Sequence, residues 1–85
     1  MATASPSPTP NPDAMKFTLD TKLSGSINFA NAAAASGHAF AAQVFAVGNI
    51  AAVFGVNDFV TITRVSGADW EPIVAGVVAA AADHL

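Results

Sequence analysis

Side chains that could carry chemistry are few in this 85-residue chain, and they are scattered along it. There is no cysteine, and the two histidines are His38 and His84. Without thiolates the sequence offers no disulfide, no thiol nucleophile, no Cys-ligated zinc and no cysteine-held iron–sulfur cluster. Neither histidine lies in an HExxH or similar metal-ligand spacing, and no GxGxxG or GxxxxGK[ST] phosphate loop occurs. We therefore predict no catalytic residue, no metal ligand and no cofactor, and expect that the chain is not an enzyme.

Four residues are instead candidates for contact with a protein partner. Trp70 is the only tryptophan, and tryptophan is enriched among the residues that dominate binding energy at interfaces. Arg64 follows two threonines that are predicted to face outward from a strand. Asn11 and Pro12 lie in a Pro-Asn-Pro segment, which is biased to extended geometry. The simpler alternative is structural: a tryptophan docked on a sheet and a solvated strand face.

Two other classes of function remain open at this stage. The first is a small ligand- or metal-binding domain, or an enzyme, that uses the loop residues His38, Asp13 or Asp58. The second is a self-associating structural module, because a low content of charge leaves few ion pairs to keep copies apart. Both histidines are otherwise expected to be surface residues at helix ends, where a cationic His84 would suit the helix dipole.

Charge and size restrict the partners further. Three basic and six acidic residues give a net charge of −3, which argues against nucleic acid as a partner. Only 11% of the residues are charged, against about 25% in a typical soluble domain. Hydrophobic residues make up 53%, but 20 residues of the chain are alanine, so the larger apolar side chains must build the core. We expect one small domain of marginal stability.

The N-terminal residues predict a tail rather than a targeting signal. Four of the five prolines fall within residues 1–14, and we predict disorder over residues 1–8 and a folded domain over 9–85. No basic residue or long apolar run is present there, so a secretory signal is not expected. The longest apolar stretch, residues 73–82, is too short to cross a bilayer. We therefore expect a cytoplasmic protein that contacts no membrane.

Apolar alternation predicts four strands. Met15, Phe17 and Leu19 alternate with polar residues, which is typical of a strand with one buried face. Further along, an Asn-Asp pair between two apolar runs predicts a hairpin. The strands are predicted over residues 15–20, 26–29, 50–54 and 59–65.

Helical spacing predicts two helices. Apolar residues recur at helical intervals over 38–47, and Gly48 is a suitable stop. A second stripe runs from Trp70 to the C-terminus behind Asp69 as N-cap. The alanines of residues 31–36 are too few for a stable helix. The resulting order, β-β-α-β-β-α, predicts an α+β two-layer sandwich: an antiparallel four-stranded sheet with two helices on one face.

Four ordered segments then resemble one known family. Residues 9–17, TPNPDAMKF, are similar to a TPNPNALKF-type start, and residues 41–47, AAQVFAV, to an LAxxLFxI helix. Residues 53–64 include VF and DFVTITR, which resemble a VFF-GPDFITVTK hairpin, and Asp69-Trp70 resembles the start of the last helix. These motifs are those of the N-terminal domain of the Nfu/NifU iron–sulfur cluster scaffold family, and the resemblance covers residues 9–85.

The resemblance implies a link to iron–sulfur cluster assembly and a protein partner in that process. Family members that carry a cluster do so through a CxxC motif in a separate C-terminal domain, which is not present here. We therefore expect a stand-alone accessory or interaction domain that holds no cluster itself, with its oligomeric state undefined. Several turn positions depart from the family pattern. Residues 38–40, HAF, replace Ser-Pro-Leu; residues 56–57, VN, replace Gly-Pro; and Asn49 and Asp13 replace a Gly and an Asn.

Overall fold

The computed structural model of the protein describes residues 2–23 and 25–85, which form five strands and two helices. The strands form one antiparallel sheet in the order β1-β2-β5-β4-β3, and the two helices pack on each other over one of its faces. The α+β two-layer fold is as predicted, with five strands instead of four. In chain order the elements are β1 (Ala4–Pro8), β2 (Ala14–Leu19), β3 (Ile27–Phe29), α1 (Ala39–Ala46), β4 (Ile50–Val56), β5 (Phe59–Arg64) and α2 (Trp70–His84).

Strand β1 corrects the prediction of disorder over residues 1–8. It pairs antiparallel with β2, and Ala4 is buried opposite Leu19. Its two prolines are alternate residues, so both ring nitrogens can face the open edge of the sheet, where no N–H is needed. Ser5 and Ser7 alternate with the prolines and lie opposite Thr18 and Lys16 of β2, so their N–H groups are available for the ladder. The proline-rich composition was misleading because an edge strand needs a backbone donor only at every second residue. Ordered structure therefore begins before the predicted boundary at residue 9.

Strand β5 lies at the centre of the sheet, between β2 and β4. Val60 and Ile62 are fully buried and lie opposite Phe17 and Met15 of β2. The two threonines of β5 alternate with them and point to the other face of the sheet, as predicted. The strand thus contributes two of the largest buried side chains in the core.

The β4–β5 hairpin turns at Asn57 and Asp58, as the sequence predicts. Asn57 has a φ of 56°, a left-handed conformation that asparagine tolerates better than most residues. The turn also holds the segment that follows β2. The Asp58 carbonyl accepts the Leu19 N–H at 2.7 Å, and the Asn57 carbonyl accepts the Leu23 N–H at 2.6 Å.

Helix α1 follows a series of turns over residues 32–37, so the alanines there form no regular helix, as predicted. Asn31 begins this segment, and its Oδ1 accepts the Ala34 N–H at 2.8 Å. In α1 the buried side chains are Phe40, Ala41 and Val44. The helix stops at Gly48, whose φ of 93° is in the region that favours glycine.

Helix α2 begins after Asp69, the predicted N-cap, although the Asp69 side chain makes no capping hydrogen bond. Ile73 and Val77 are buried under it. Between them Gly76 lies against the C-terminal end of α1: a Cβ built on Gly76 would lie 2.2 Å from Cγ2 of Val47. The absence of a side chain here therefore sets how closely the helices approach. Within residues 2–23 and 25–85, no helix is long and apolar enough to cross a membrane.

The Gly76 contact gives a stability prediction. Gly76→Ala gains about 1 kcal/mol of helix propensity, but the clash with Val47 costs about 1–3 kcal/mol, so we expect a net loss of unfolding free energy. In a Val47→Ala background the clash is absent, and the same substitution should stabilise. Urea denaturation of the four chains of this cycle measures the coupling. Equal effects of Gly76→Ala in both backgrounds would contradict the proposed contact.

Candidate functional site

Residues 9–13 form a short loop between β1 and β2 that is held by its own hydrogen bonds. The Thr9 hydroxyl lies 2.9 Å from the carbonyl oxygens of both Asn11 and Ala14, and accepts the Asn11 N–H at 3.2 Å. Asn11 Oδ1 accepts the Asp13 N–H at 2.9 Å, and the Asn11 carbonyl accepts the Ala14 N–H at 3.1 Å. Prolines 10 and 12 restrict φ within the loop. The backbone of the 9–13 loop is therefore well defined.

Two side chains from distant elements clamp this loop. Arg64, at the end of β5, donates from Nε to Asp13 Oδ1 at 3.2 Å, and its backbone N–H donates to the Asp13 carbonyl at 2.8 Å. Trp70, the first residue of α2, donates from Nε1 to the Pro12 carbonyl at 3.2 Å. The Arg64 guanidinium lies over the indole, 5.2 Å from its centroid, and also donates to the Ala68 carbonyl.

The structure thus brings together all four residues that were predicted to contact a partner. Asn11 and Pro12 are exposed, whereas Arg64 and Trp70 are half-buried beneath them. This division was not foreseen, because nothing in the sequence shows that Trp70 and Arg64 bond to the loop. Asp13 completes the cluster; the sequence had suggested it only as a ligand residue. We call Asn11, Pro12, Asp13, Arg64 and Trp70 the loop cluster.

The Arg64–Asp13 ion pair is a positioning contact more than a source of stability. The two side chains are 20% and 36% exposed, and pairs with this exposure contribute about 0–1 kcal/mol. The ion pair instead orients Asp13, because Arg64 is itself held by a bond to the Ala68 carbonyl and by its contact with the Trp70 ring. The cluster therefore holds the exposed Pro-Asn-Pro segment in place at the surface.

The residues suggested for a ligand-binding or enzymatic site do not meet in one place. His38 lines a cavity of about 220 Å³ together with His84. Asp58 lines a different one of about 230 Å³. Asp13 lines neither and is paired with Arg64. The three residues thus form no joint constellation.

His38 has a structural role that spacing did not reveal. It is the N-cap of α1, where its Nδ1 accepts the Ala41 N–H at 3.3 Å. Its ring lies between Phe29 and Phe40, with centroid distances of 5.5 and 6.4 Å. His84, in the last turn of α2, lies at the same end of the helix layer, and its Nε2 is 2.6 Å from Oε1 of Gln43. Both histidines therefore make contacts that join structural elements.

The chain does not fit the ligand set of an iron–sulfur cluster. No thiolate is present in the sequence. Across residues 2–23 and 25–85, no group of three or more His, Asp and Glu side chains is placed to hold a metal ion. What the loop cluster offers is a surface for contact with another protein.

Comparison with protein-family models identifies the family of this chain. Residues 5–85 match the family model described as the N-terminal domain of the scaffold protein Nfu/NifU. The chain belongs to the Nfu/NifU N-terminal family. This result confirms the resemblance drawn from the motifs, and it extends the family match into β1.

Relatives of this Nfu/NifU domain include three Drosophila proteins named "NFU1 iron-sulfur cluster scaffold homolog, mitochondrial". The protein of Drosophila ananassae is 36% identical over 78 residues, which are 88% of this chain and 27% of that protein. The proteins of Drosophila erecta and Drosophila yakuba are 37% identical over 78 residues, 88% of this chain and 28% of each relative. The chain therefore spans about a quarter of the length of these curated relatives.

Solved structures share the fold. The crystal structure of SAV1430 from Staphylococcus aureus has a TM-score of 0.78 and 30% identity, covering 92% of this chain and 96% of that one. The solution NMR structure of the same protein has a TM-score of 0.66 and 30% identity, covering 89% and 85%. The fold of this chain thus matches the crystal structure over almost the whole of both chains.

The His38 N-cap gives a second stability prediction. Removing it in His38→Ala should lower the unfolding free energy by about 1 kcal/mol or more, because an N-cap acceptor and ring contacts are lost. His38→Asn keeps an acceptor at the cap and should lose less. Thermal and urea denaturation of both variants measure the difference. Equal losses in the two variants would show that the hydrogen bond to Ala41 contributes nothing.

Trp70→Phe tests whether the indole holds the loop. The substitution keeps an aromatic ring but removes the Nε1–H bond to Pro12, a bond worth about 0.5–1.5 kcal/mol. We expect faster hydrogen exchange at the Ala14 amide, which bonds within the loop. The Leu23 amide, which bonds to the β4–β5 turn, serves as an internal control and should keep its exchange rate. Unchanged exchange at Ala14 would rule out a clamping role for Trp70.

Proposed function

We propose that this domain is a non-enzymatic interaction module of iron–sulfur cluster assembly, which contacts its protein partner through the 9–13 loop and holds no cluster itself. Membership of the Nfu/NifU family supports the link to cluster assembly. The lack of cysteine supports the proposal that the domain holds no cluster, because thiolates are the usual ligands of iron–sulfur clusters. The cluster would then be the cargo of a partner protein and not a group bound to these residues.

One observation supports the choice of binding surface: all the predicted contact residues meet at the 9–13 loop. Asn11 and Pro12 are exposed there, and Arg64 and Trp70 bond to the loop. A pre-ordered loop loses little conformational entropy on binding, so a small contact can suffice. In this proposal Asn11 and Pro12 touch the partner, while Arg64 and Trp70 position them.

The nature of the partner follows from the chemistry of the loop. Its exposed residues Pro10, Asn11 and Pro12 carry no charge, which suits a protein and not a polyanion. No catalytic step is proposed. The cytoplasmic location stays a prediction, since the Drosophila relatives carry the word mitochondrial in their names.

Affinity capture from iron-replete and iron-starved cells tests the proposal. We expect the tagged wild-type chain to retain proteins that contain iron–sulfur clusters or assemble them. The loop variant carries Asn11→Asp and Pro12→Ala, which keep the acceptor for the Asp13 N–H and the carbonyl for Trp70. It should retain at least about tenfold less of the same proteins, the loss expected from about 1.4 kcal/mol.

A control variant carries Asn28→Asp and Pro6→Ala, the same chemical changes at exposed positions outside the loop. It should capture the partners as the wild type does. If the wild type retains no iron–sulfur protein in either iron condition, the proposed function is wrong. If the loop variant and the control capture equally, the function stands but the loop is not the contact surface.

A further inference from the structure

Among the residues that the structure describes, no helix covers the sheet face opposite α1 and α2, and this face carries two aromatic residues. Phe54 of β4 is 39% exposed, and Phe59 of β5 is half-buried. Register places Phe54 opposite Thr61, and Thr61 opposite Lys16 of β2. Phe54 and Phe59 are therefore diagonal neighbours on adjacent strands, close enough for their rings to form one apolar surface. We call these four residues and their same-face neighbours the open sheet face.

Charge on the open sheet face is confined to one cation. Lys16 lies beside the aromatic rings, with Nζ 4.6 Å from the centroid of Phe59. None of the six acidic residues of the chain occupies a strand position; they lie in loops and on α2. Phe54 and Phe59 thus form an apolar patch beside one cation, among threonines of β2 and β5, on a molecule whose net charge is −3. A partner for it should present apolar side chains and a carboxylate.

The outer face of α2 has that chemistry. Glu71 is exposed in its first turn, and Val78, 36% exposed, lies two turns along the same side. Between them the exposed residues are Pro72 and Ala75, and beyond them Ala79, Ala82, Asp83 and His84. The short side chains of the alanines let a helix approach a sheet closely. The helix also has the length needed, since 15 residues span about 22 Å and five strands spaced by about 4.8 Å span a similar width.

We propose that a second copy of this chain docks the outer face of α2 on the open sheet face, with Glu71 directed to Lys16 and Val78 against Phe54 and Phe59. This inference goes beyond the proposed function and uses a surface other than the 9–13 loop. The two patches lie on opposite sides of the two-layer domain. The contact is therefore head-to-tail, and it produces rings or open chains and not a two-fold dimer.

Sedimentation velocity over about 10 µM to 1 mM tests for association in the range of weak interfaces. We expect the wild type to associate as concentration rises. Lys16→Glu on the sheet face and Val78→Glu on the helix face should each weaken association by at least about tenfold. Lys22→Glu and Ser36→Glu are matched controls, with the same charge changes at exposed positions outside both faces, and should associate as the wild type does.

Mixing the two variants distinguishes this arrangement from any other. Lys16→Glu keeps an intact helix face and Val78→Glu an intact sheet face, so an equimolar mixture should form 1:1 dimers and nothing larger. A two-fold interface would not recover on mixing. A wild type that stays monomeric at all concentrations, or a mixture that fails to recover dimers, overturns the proposal. Circular dichroism of each variant confirms that it is folded before mixing.

Discussion

The antiparallel pairing of β2 with β5 is the contact on which both the core and the candidate site depend. It joins segments that are far apart in the chain, from Ala14 opposite Thr63 to Thr18 opposite Phe59. A shift of one residue would move the buried residues of β5 to the open face. The same shift would separate Asp13 from Arg64. The geometry of the loop cluster is therefore fixed by the register that also buries the core.

Small side chains set the thickness of the helix layer. Alanines 35, 41, 80 and 81 are fully buried, and Gly76 allows α2 to touch Val47 directly. Each of these residues brings the helices close to the sheet or to each other but buries little apolar area. Larger residues, among them Phe17, Phe40 and Ile73, must supply most of the hydrophobic stabilisation. The domain is therefore compact while depending on few side chains.

Local signals in the sequence predicted most of the fold. Alternation in β2 and β5, the Asn-Asp turn and the stripe of α2 each depend on neighbours in the chain, and each appears where it was expected. Composition failed for β1, because a proline-rich segment looks disordered unless a partner edge is known to be present.

The site was predictable by residue but not by role. Trp70 was singled out by its rarity and Asn11 by its motif, yet the bond from Trp70 to the loop joins residues 58 positions apart. Likewise, Arg64 and Asp13 meet only through the strand register. His38 was expected at a helix end and lies there, but its ring contact with Phe29 of β3 could not be predicted from spacing. Contacts between residues far apart in the chain decide these roles, and such contacts cannot be predicted from the spacing of residues in one sequence.

The position of the only tryptophan has a spectroscopic consequence. Trp70 lies on the loop cluster, half-buried between a guanidinium and a backbone carbonyl, and not in the centre of the core. Intrinsic fluorescence excited at the indole therefore originates at the proposed contact surface. Emission from this chain reports the polarity around the 9–13 loop, so a bound partner would change it while the folded core remains optically silent.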